Sequence, residues 1–311
     1  MHLVMPGAPV EGRVVSNSLC MKGKSASFVR HVAIDVSGTP LEGSFLAGQS
    51  FGVIPAGLDA NGKPNKVRLY SISCPSWGED GAGKVISTSP KRLLDERRPQ
   101  KAGDDPDDHR LFVGTASNYL CDLRPGEKVM LSGPNGKRFI LPVDTEAHDY
   151  LFLATGTGIA PFRGMAQELF RRPDGATGSR VELVMGVPYT TDLLYDDLFT
   201  DLAASHSNFH YHTVISRERR ADGRRGRYVH QFLEEQLDHV RDMLESPRTL
   251  IYICGLAGMQ VGFFQMLAQH GLGGGYLTVH EEIASLDPAA WTEEQIKRRV
   301  RSTHRCMIEV Y

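Results

Sequence analysis

The sequence predicts two domains of different class: an antiparallel β-barrel over residues 1–145, then a doubly wound, parallel-sheet α/β domain over 146–311. Three observations carry this. The 311 residues are more than one core usually organises. The first half breaks into short β-rich runs separated by Gly, Pro, Asn and Asp. The second half changes period, with apolar strands alternating with helical segments.

In the first half, "GRVVSNSL" (12–19), "SFVRHVAIDV" (27–36), "SFGVIP" (50–55), "KVRLYSIS" (66–73), "GKVISTS" (83–89) and "EKVMLSGP" (127–134) read as strands. Short strands at this spacing suit an antiparallel barrel. The polar stretch 95–110, "DERRPQKAGDDPDDHR", reads as a mobile loop or insertion. "LPVDTEAHD" (141–149) is the expected junction. Beyond it, "DYLFLAT" (149–155) is a buried strand, followed by glycines and a helix over "PFRGMAQELFRR" (161–172). Strand "RVELVMGV", helix "TDLLYDDLFTDLAAS", strand "FHYHTVIS", a single helix over "YVHQFLEEQLDHVRDML", strand "TLIYICG" and helix "GMQVGFFQMLAQHG" continue the alternation.

Composition narrows the function classes. Hydrophobic content of 41% and charged content of 23% are those of a soluble globular protein. A net charge of −2 gives no reason to expect nucleic acid. Residues 1–145 carry 18 basic against 15 acidic side chains, and residues 146–311 carry 17 against 22; the mildly basic first half could receive an acidic partner, although the imbalance is small and a solvated surface is the plainer reading. The five cysteines, Cys20, Cys74, Cys121, Cys254 and Cys306, form no CxxC pair. That argues against iron–sulfur and structural zinc sites, and an odd, scattered set fits a reducing, cytoplasmic setting. No signal peptide or membrane span is expected.

Several segments carry chemistry. In "KVRLYSIS", alternation puts Arg68, Tyr70 and Ile72 on one strand face, with Ser71 on the other. A guanidinium beside a flat ring is unusual for a plain core face, and Arg68 suits a phosphate. In "GTASNYLCDL" (114–123), Ser117 is placed to cap a helix whose free amides suit phosphate, although an ordinary cap is the default. "ATGTGIAPFR" (154–163) follows a strand and opens a helix, and its glycines let backbone amides approach a ligand. With Pro161 where a third glycine would stand, it is not the usual dinucleotide fingerprint. Ser216 and Arg217 directly follow a strand, with Tyr228 nearby; a solvated arginine-rich hairpin is the plainer alternative. Cys254–Gly255 repeats the strand-to-helix shape, against the commoner role of buried cysteine in packing.

Together and in this order, "RLYS", "GTASNYLCDLRPG", "TGTGIAPFR", "GVPYTTDLLY", "ISRE", "CGLAGM" and the final "EVY" resemble the plant-type ferredoxin–NADP(H) reductase family, in its plastid-like branch, from about Val14 to Tyr311. The resemblance implies an FAD-binding barrel and an NADP(H)-binding α/β domain. It implies that Arg68 binds an FAD phosphate, Tyr70 packs on the flavin ring, and Ser71 lies near flavin N5. The amides of Thr115, Ala116 and Ser117 would hold the pyrophosphate. Thr157, Gly158, Pro161 and Gly255 fall in the coenzyme-binding turns. Ser216, Arg217 and Tyr228 match contacts to the NADP 2′-phosphate and adenine. Cys254 and Glu309 match residues around the nicotinamide and N5, and Tyr311 matches an aromatic ring over the flavin. The implied catalytic set is therefore Ser71, Cys254, Glu309 and Tyr311, with no metal.

Four positions depart from the family pattern: Ala257 replaces the lysine of "CGLKGM", Ser89 a frequent cysteine, Ala154 the first glycine of "GTGTG", and Gly226 a basic 2′-phosphate contact flanked here by Arg225 and Arg227. The implied activity is electron exchange between NADP(H) and a one-electron carrier, an acidic ferredoxin or a flavodoxin, in either direction. Two alternatives share the fold: an NADH- or NADPH-linked reductase component feeding an oxygenase, and a non-enzymatic flavin-binding module.

Overall fold

The computed structural model describes residues 3–311 except Ala26, Ala60, 97–102, Asp104, Pro106, Asp108, Pro173 and Asp174. Most of the 95–110 stretch thus lies outside the described residues. The chain divides into two compact units, one of Met1–Met21 with Ala26–Asn135, the other of Lys22–Ser25 with Gly136–Tyr311.

The first unit contains strands β1 (Val10–Leu19), β2 (Arg30–Asp35), β3 (Ser50–Ile54), β4 (Arg68–Ser71), β5 (Val85–Thr88), β6 (Leu94–Glu96) and β7 (Leu111–Val113), helix α1 (Thr115–Asp122) and strand β8 (Lys128–Asn135). Six of the strands form one antiparallel sheet in the order β4-β3-β8-β1-β2-β5. The outer strands meet through Ser73 N–H to Ser87 O, 2.9 Å, and Thr88 Oγ1 to Ser71 O, 2.8 Å, which closes the barrel. Val32, Ile34, Phe45, Phe51, Val53 and Leu131 fill its core. β6 and β7 pair as a separate two-stranded ribbon around the acidic stretch, which sequence patterning read as loop alone. β4 is shorter than the expected 66–73, because Ile72 and Ser73 bond outside the β3 ladder, to Gln49 and Ser87.

The second unit contains β9 (Asp149–Thr155), α2 (Ala160–Phe170), β10 (Val181–Val187), α3 (Asp196–Ser205), β11 (Phe209–Ile215), α4 (Val229–Glu235), α5 (Leu237–Glu245), β12 (Thr249–Gly255), α6 (Ala257–Gln269), β13 (Leu277–Val279), α7 (Glu281–Ala284), α8 (Glu293–Arg299), β14 (Val300–Ser302) and β15 (Cys306–Val310). Five strands form a parallel sheet in the order β11-β10-β9-β12-β15, and its central strands are buried on both faces. Two expectations need correction. The helix expected over 228–244 breaks at Gln236, which leaves the helical conformation at φ −106°, ψ 18°. The helix expected from Thr191 begins only at Asp196, after Tyr195 turns the chain in the left-handed region at φ 56°.

Residues 136–145, assigned to the first domain on sequence, pack in the second unit. Phe139 meets Tyr252 edge-on at 5.3 Å and Phe162 at 5.9 Å, and the Tyr252 hydroxyl donates to Ile140 O at 2.7 Å. The division therefore falls at Asn135/Gly136, where β8 ends. Among the described residues no helix is long and apolar enough to cross a membrane.

Candidate active site

In the first unit, β4 pairs with β3 so that Arg68 lies opposite Val53, Tyr70 opposite Phe51 and Ser71 opposite Ser50. Alternation along the strand gives Arg68 and Tyr70 the same face. The Arg68 guanidinium is exposed, donates only to Val67 O at 3.2 Å, and pairs with no carboxylate among the described residues. Tyr70 is half-buried, and burial pushes its phenol well above the usual range. β4 thus presents a free cation and a flat, neutral ring.

α1 supplies a second element. The first helical hydrogen bond is Asn118 N–H to Gly114 O at 3.0 Å, so the amides of Thr115, Ala116 and Ser117 precede it and are free to meet an anion. The helix cap is Gly114, with no side-chain cap, and not Ser117 as expected. A Cβ on residue 114 would stand 2.8 Å from Leu93 Cβ and 2.7 Å from Ser117 Oγ, so the close approach there requires glycine. Ser117 sits inside the first turn, its hydroxyl donating to Gly114 O and accepting from Leu93 N, both at 3.2 Å.

In the second unit, three strand ends converge. β12 pairs with β9 and β15, which sets Cys254 beside Ala154 on one side and Glu309 on the other. The turn after β9, Gly156–Ile159, crosses β12 so closely that a Cβ at Gly158 would collide with the Cys254 carbonyl. Gly255 is held at φ +132°, against Thr155. Thr155 Oγ1 accepts from Leu256 N at 2.8 Å, locking the ends of β9 and β12 together. Sequence reasoning passed over Thr155; its signal was a hydroxyl at the last strand position before the glycines. Pro161 occupies the first turn of α2, where its missing N–H costs nothing.

The last residues complete this cluster. Tyr311 N donates to Gly255 O at 3.0 Å, and the Tyr311 hydroxyl lies 2.6 Å from Thr157 Oγ1; the terminal residue as a whole is 65% exposed, but burial of its phenol pushes it up to about 12. Cys254 is buried. The Glu309 carboxyl makes no hydrogen bond or ion pair with a described residue, and burial pushes it up to about 7. A carboxyl with that value exchanges its proton near neutral pH, which is what an acid–base group needs.

The arginine-rich segment lies at the end of β11. Ser216 N donates to Val187 O at 3.0 Å and Arg217 N to Pro188 O at 2.9 Å. The returning chain donates Arg227 N to Ile215 O at 3.1 Å, which brings Tyr228, at the start of α4, alongside Ser216. A Cβ on residue 226 would stand 2.5, 2.6 and 2.7 Å from the carbonyl oxygens of Ile215, Ser216 and Glu218, so only glycine fits. Arg227 pairs with Glu235 and lies over the Phe232 ring. Arg220 pairs with Glu235, Arg224 with Asp222, and Arg219 donates to Gly223 O. Arg217 and Arg225 alone in this run are exposed and without a partner among the described residues. Tyr228 is 63% exposed, its ring stacked at 13° on His230.

Each unit thus offers donors for a phosphate-bearing cofactor: a free arginine and three helix amides in the first, glycine turns and two free arginines in the second. The Oxidoreductase NAD-binding domain family matches residues 152–263. Over the whole of this chain, 33% of residues are identical to ferredoxin–NADP reductase of Thermosynechococcus vestitus, covering 75% of that protein, and 31% to that of Spirulina, covering 98%. The chain belongs to the ferredoxin–NADP reductase family. The fold agrees: ferredoxin–NADP+ reductase from Plasmodium falciparum with 2′P-AMP superposes with a TM-score of 0.71 at 20% identity, over 100% of this chain and 99% of that one.

Proposed function

We propose that this protein is an FAD-dependent oxidoreductase that exchanges electrons between NADP(H) and a one-electron carrier, ferredoxin or flavodoxin. The observation that carries it is the meeting of Thr157, Cys254, Glu309 and Tyr311 at three adjacent strand ends, where burial pushes the Glu309 carboxyl up to about 7. When bound, the flavin supplies hydride acceptance and single-electron release, which no side chain performs.

The chain's own residues bind and orient. Arg68 and the amides of Thr115, Ala116 and Ser117 hold the FAD phosphates, while Tyr70 and Ser71 face its ring. Ser216, Arg217 and Tyr228 hold the 2′-phosphate and adenine of NADP(H). Thr157, Gly158, Pro161 and Gly255 admit the rest of the coenzyme, and Glu309 holds or releases a proton beside Cys254. None of the five cysteines is in a disulfide, which suits a reducing, cytoplasmic setting.

The purified protein is expected to be yellow and to bleach on anaerobic addition of NADPH, with colour restored by a ferredoxin or flavodoxin. A colourless protein that takes up no FAD, or one that NADPH leaves yellow, overturns this function. Bleaching by NADH as fast as by NADPH would instead favour the oxygenase-linked reductase.

A further inference from the structure

We propose that Glu79 is a positioning residue for strand β4, anchoring a one-way chain of hydroxyl donors that closes the barrel seam beside Tyr70 and Ser71. The proposal rests on the reading of β4 as the flavin-binding strand.

β4 and β5 are the outer strands of the sheet and share no ladder. They are joined by Ser73 N–H to Ser87 O, 2.9 Å, Thr88 Oγ1 to Ser71 O, 2.8 Å, and a contact of 2.7 Å between the hydroxyls of Ser73 and Ser87. Ser73 and Ser87 are wholly buried, so no water competes there. Ser87 Oγ also donates to Glu79 Oε1 at 2.6 Å.

A hydroxyl has one proton. That of Ser87 goes to the carboxylate, so in the Ser73–Ser87 contact Ser73 must be the donor. The carboxylate therefore sets the direction of each bond, Ser73 to Ser87 to Glu79. A charged acceptor strengthens the last bond and polarises the one before it. His31 Nε2, on β2, stands 3.3 Å from the same Glu79 oxygen and ties a third strand to this point.

The loop from 74 to 84 is shaped to return Glu79 to β5. Gly78 turns at φ +73°, where a Cβ would meet Val85 O at 2.8 Å. Glu79 N then donates to Val85 O at 2.9 Å, and Asp80 Oδ1 accepts from the amides of Lys84 and Val85, each at 3.2 Å. The backbone of Glu79 is thus pinned at the start of β5 while its carboxylate reaches Ser87. Without that acceptor, two buried hydroxyls lose the group that orders them, and the seam loosens directly after Tyr70 and Ser71.

The test compares Glu79→Ala, Glu79→Gln and Ser73→Ala. It measures the FAD dissociation constant, the visible band of bound flavin, kcat and KM for NADPH, and the melting temperature of the apoprotein. Glu79→Ala should weaken FAD about tenfold, the scale of one lost buried hydrogen bond. It should also shift the flavin band and lower kcat, with KM for NADPH unchanged because Ser216 and Arg217 belong to the other unit. Glu79→Gln keeps a carbonyl oxygen for Ser87 and should stay within about twofold of wild type. Ser73→Ala, the milder change, should cost about two- to threefold in FAD affinity and covers the case in which Glu79→Ala does not fold. A folded Glu79→Ala, or a Ser73→Ala, with wild-type FAD affinity and flavin band overturns the proposal. So does a Glu79→Gln as damaged as Glu79→Ala. If wild type itself binds no FAD, the proposed function fails, and the apoprotein melting temperature still decides the seam: a fall in Glu79→Ala supports the anchor and no change refutes it.

Discussion

At the residue scale, Gly226 narrows which arginines can serve the proposed NADP(H) preference. Three carbonyl oxygens crowd the space a side chain would fill, so the basic residue the family carries there is sterically barred. Arg227 is committed to Glu235 and Phe232, which leaves Arg217 and Arg225 as the unengaged guanidiniums. Arg217→Ala and Arg225→Ala should each raise KM for NADPH, by about tenfold for a lost charge-assisted contact, and leave KM for NADH nearly unchanged. Steady-state kinetics with both coenzymes checks this; equal losses for NADPH and NADH would make the residue structural. Arg227→Ala should instead lower stability with little change in coenzyme preference. Tyr311 behaves differently. Its ring lies at the strand ends proposed to receive the nicotinamide, tied by Tyr311 N to Gly255 and by its hydroxyl to Thr157. On the proposed reading, with the ring against the flavin, coenzyme entry displaces it at a cost on the scale of an aromatic contact, about 0.5–1.5 kcal/mol. NADPH offsets that cost through its 2′-phosphate, and NADH has nothing equivalent. Tyr311→Ser should therefore tighten NADP⁺ binding and raise the NADH rate. Sequence alone makes Tyr311→Phe equivalent to wild type, since stacking needs only the ring. The Thr157 bond changes that: Tyr311→Phe keeps the ring and loses its tether, so an intermediate value is expected in the same NADP⁺ titration. Wild-type NADP⁺ affinity and NADH rate in Tyr311→Ser would show that the ring guards nothing.

At the element scale, the strand-to-helix motifs were legible because glycine next to a strand end has a local cause. The turns at Gly158 and Gly255 need close backbone approach whatever the rest of the fold does. What stayed hidden depends on partners far along the chain. Ser117 looked like a cap, but Gly114 caps α1 because Leu93 lies against it. Residues 136–145 looked like the end of the barrel until Phe139 found Tyr252. Another long-range assembly holds β10, β11 and α5. Glu182, 1% exposed on β10, accepts from Arg180 Nε at 3.0 Å and lies 2.8 Å from His212 Nε2, 3.0 Å from His210 Nδ1 and 3.3 Å from His239 Nε2. Burial works to raise its carboxyl, but the His212 hydrogen bond, the field of His210 and the Arg180 bond outweigh it, so it ionises below its ordinary value. Its folded value being depressed, its stabilisation is complete above the ordinary carboxylate range and fades as pH falls through the lowered value. Glu182→Ala removes the acceptor that gathers His210, His212 and Arg180, while Arg180 keeps Asp242 and the His239 carbonyl, and should cost about 1–3 kcal/mol near neutral pH. Urea unfolding measures it, and the gap to wild type should narrow in acid. A gap below about 1 kcal/mol at neutral pH would mean that water replaces the carboxylate.

At the scale of the whole molecule, Glu309 makes stability and chemistry compete for the same pH window. Its carboxyl sits at about 7 in the folded protein, against an ordinary value of 4.5, because burial disfavours the charge. The sign is opposite to that of Glu182. The fold prefers the protonated form, so no penalty exists below the ordinary value; it grows as pH rises through it and levels off above about 7. No sequence pattern reveals this, since "EVY" carries no sign of how deeply the glutamate is set. Gln is a neutral isostere of the protonated acid. Glu309→Gln should therefore melt like wild type at about pH 4 and be more stable, by about 1–3 kcal/mol, at about pH 8. The same substitution should remove an inflection near neutrality from the pH profile of flavin reduction by NADPH, because the group that exchanges its proton there is gone. Stability gained and pH response lost would then come from one side chain, the trade expected when a buried charge is kept for chemistry and not for folding. A melting difference that is the same at both pH values would show that Glu309 keeps its ordinary ionisation, and the proton assigned to it would have to reside elsewhere.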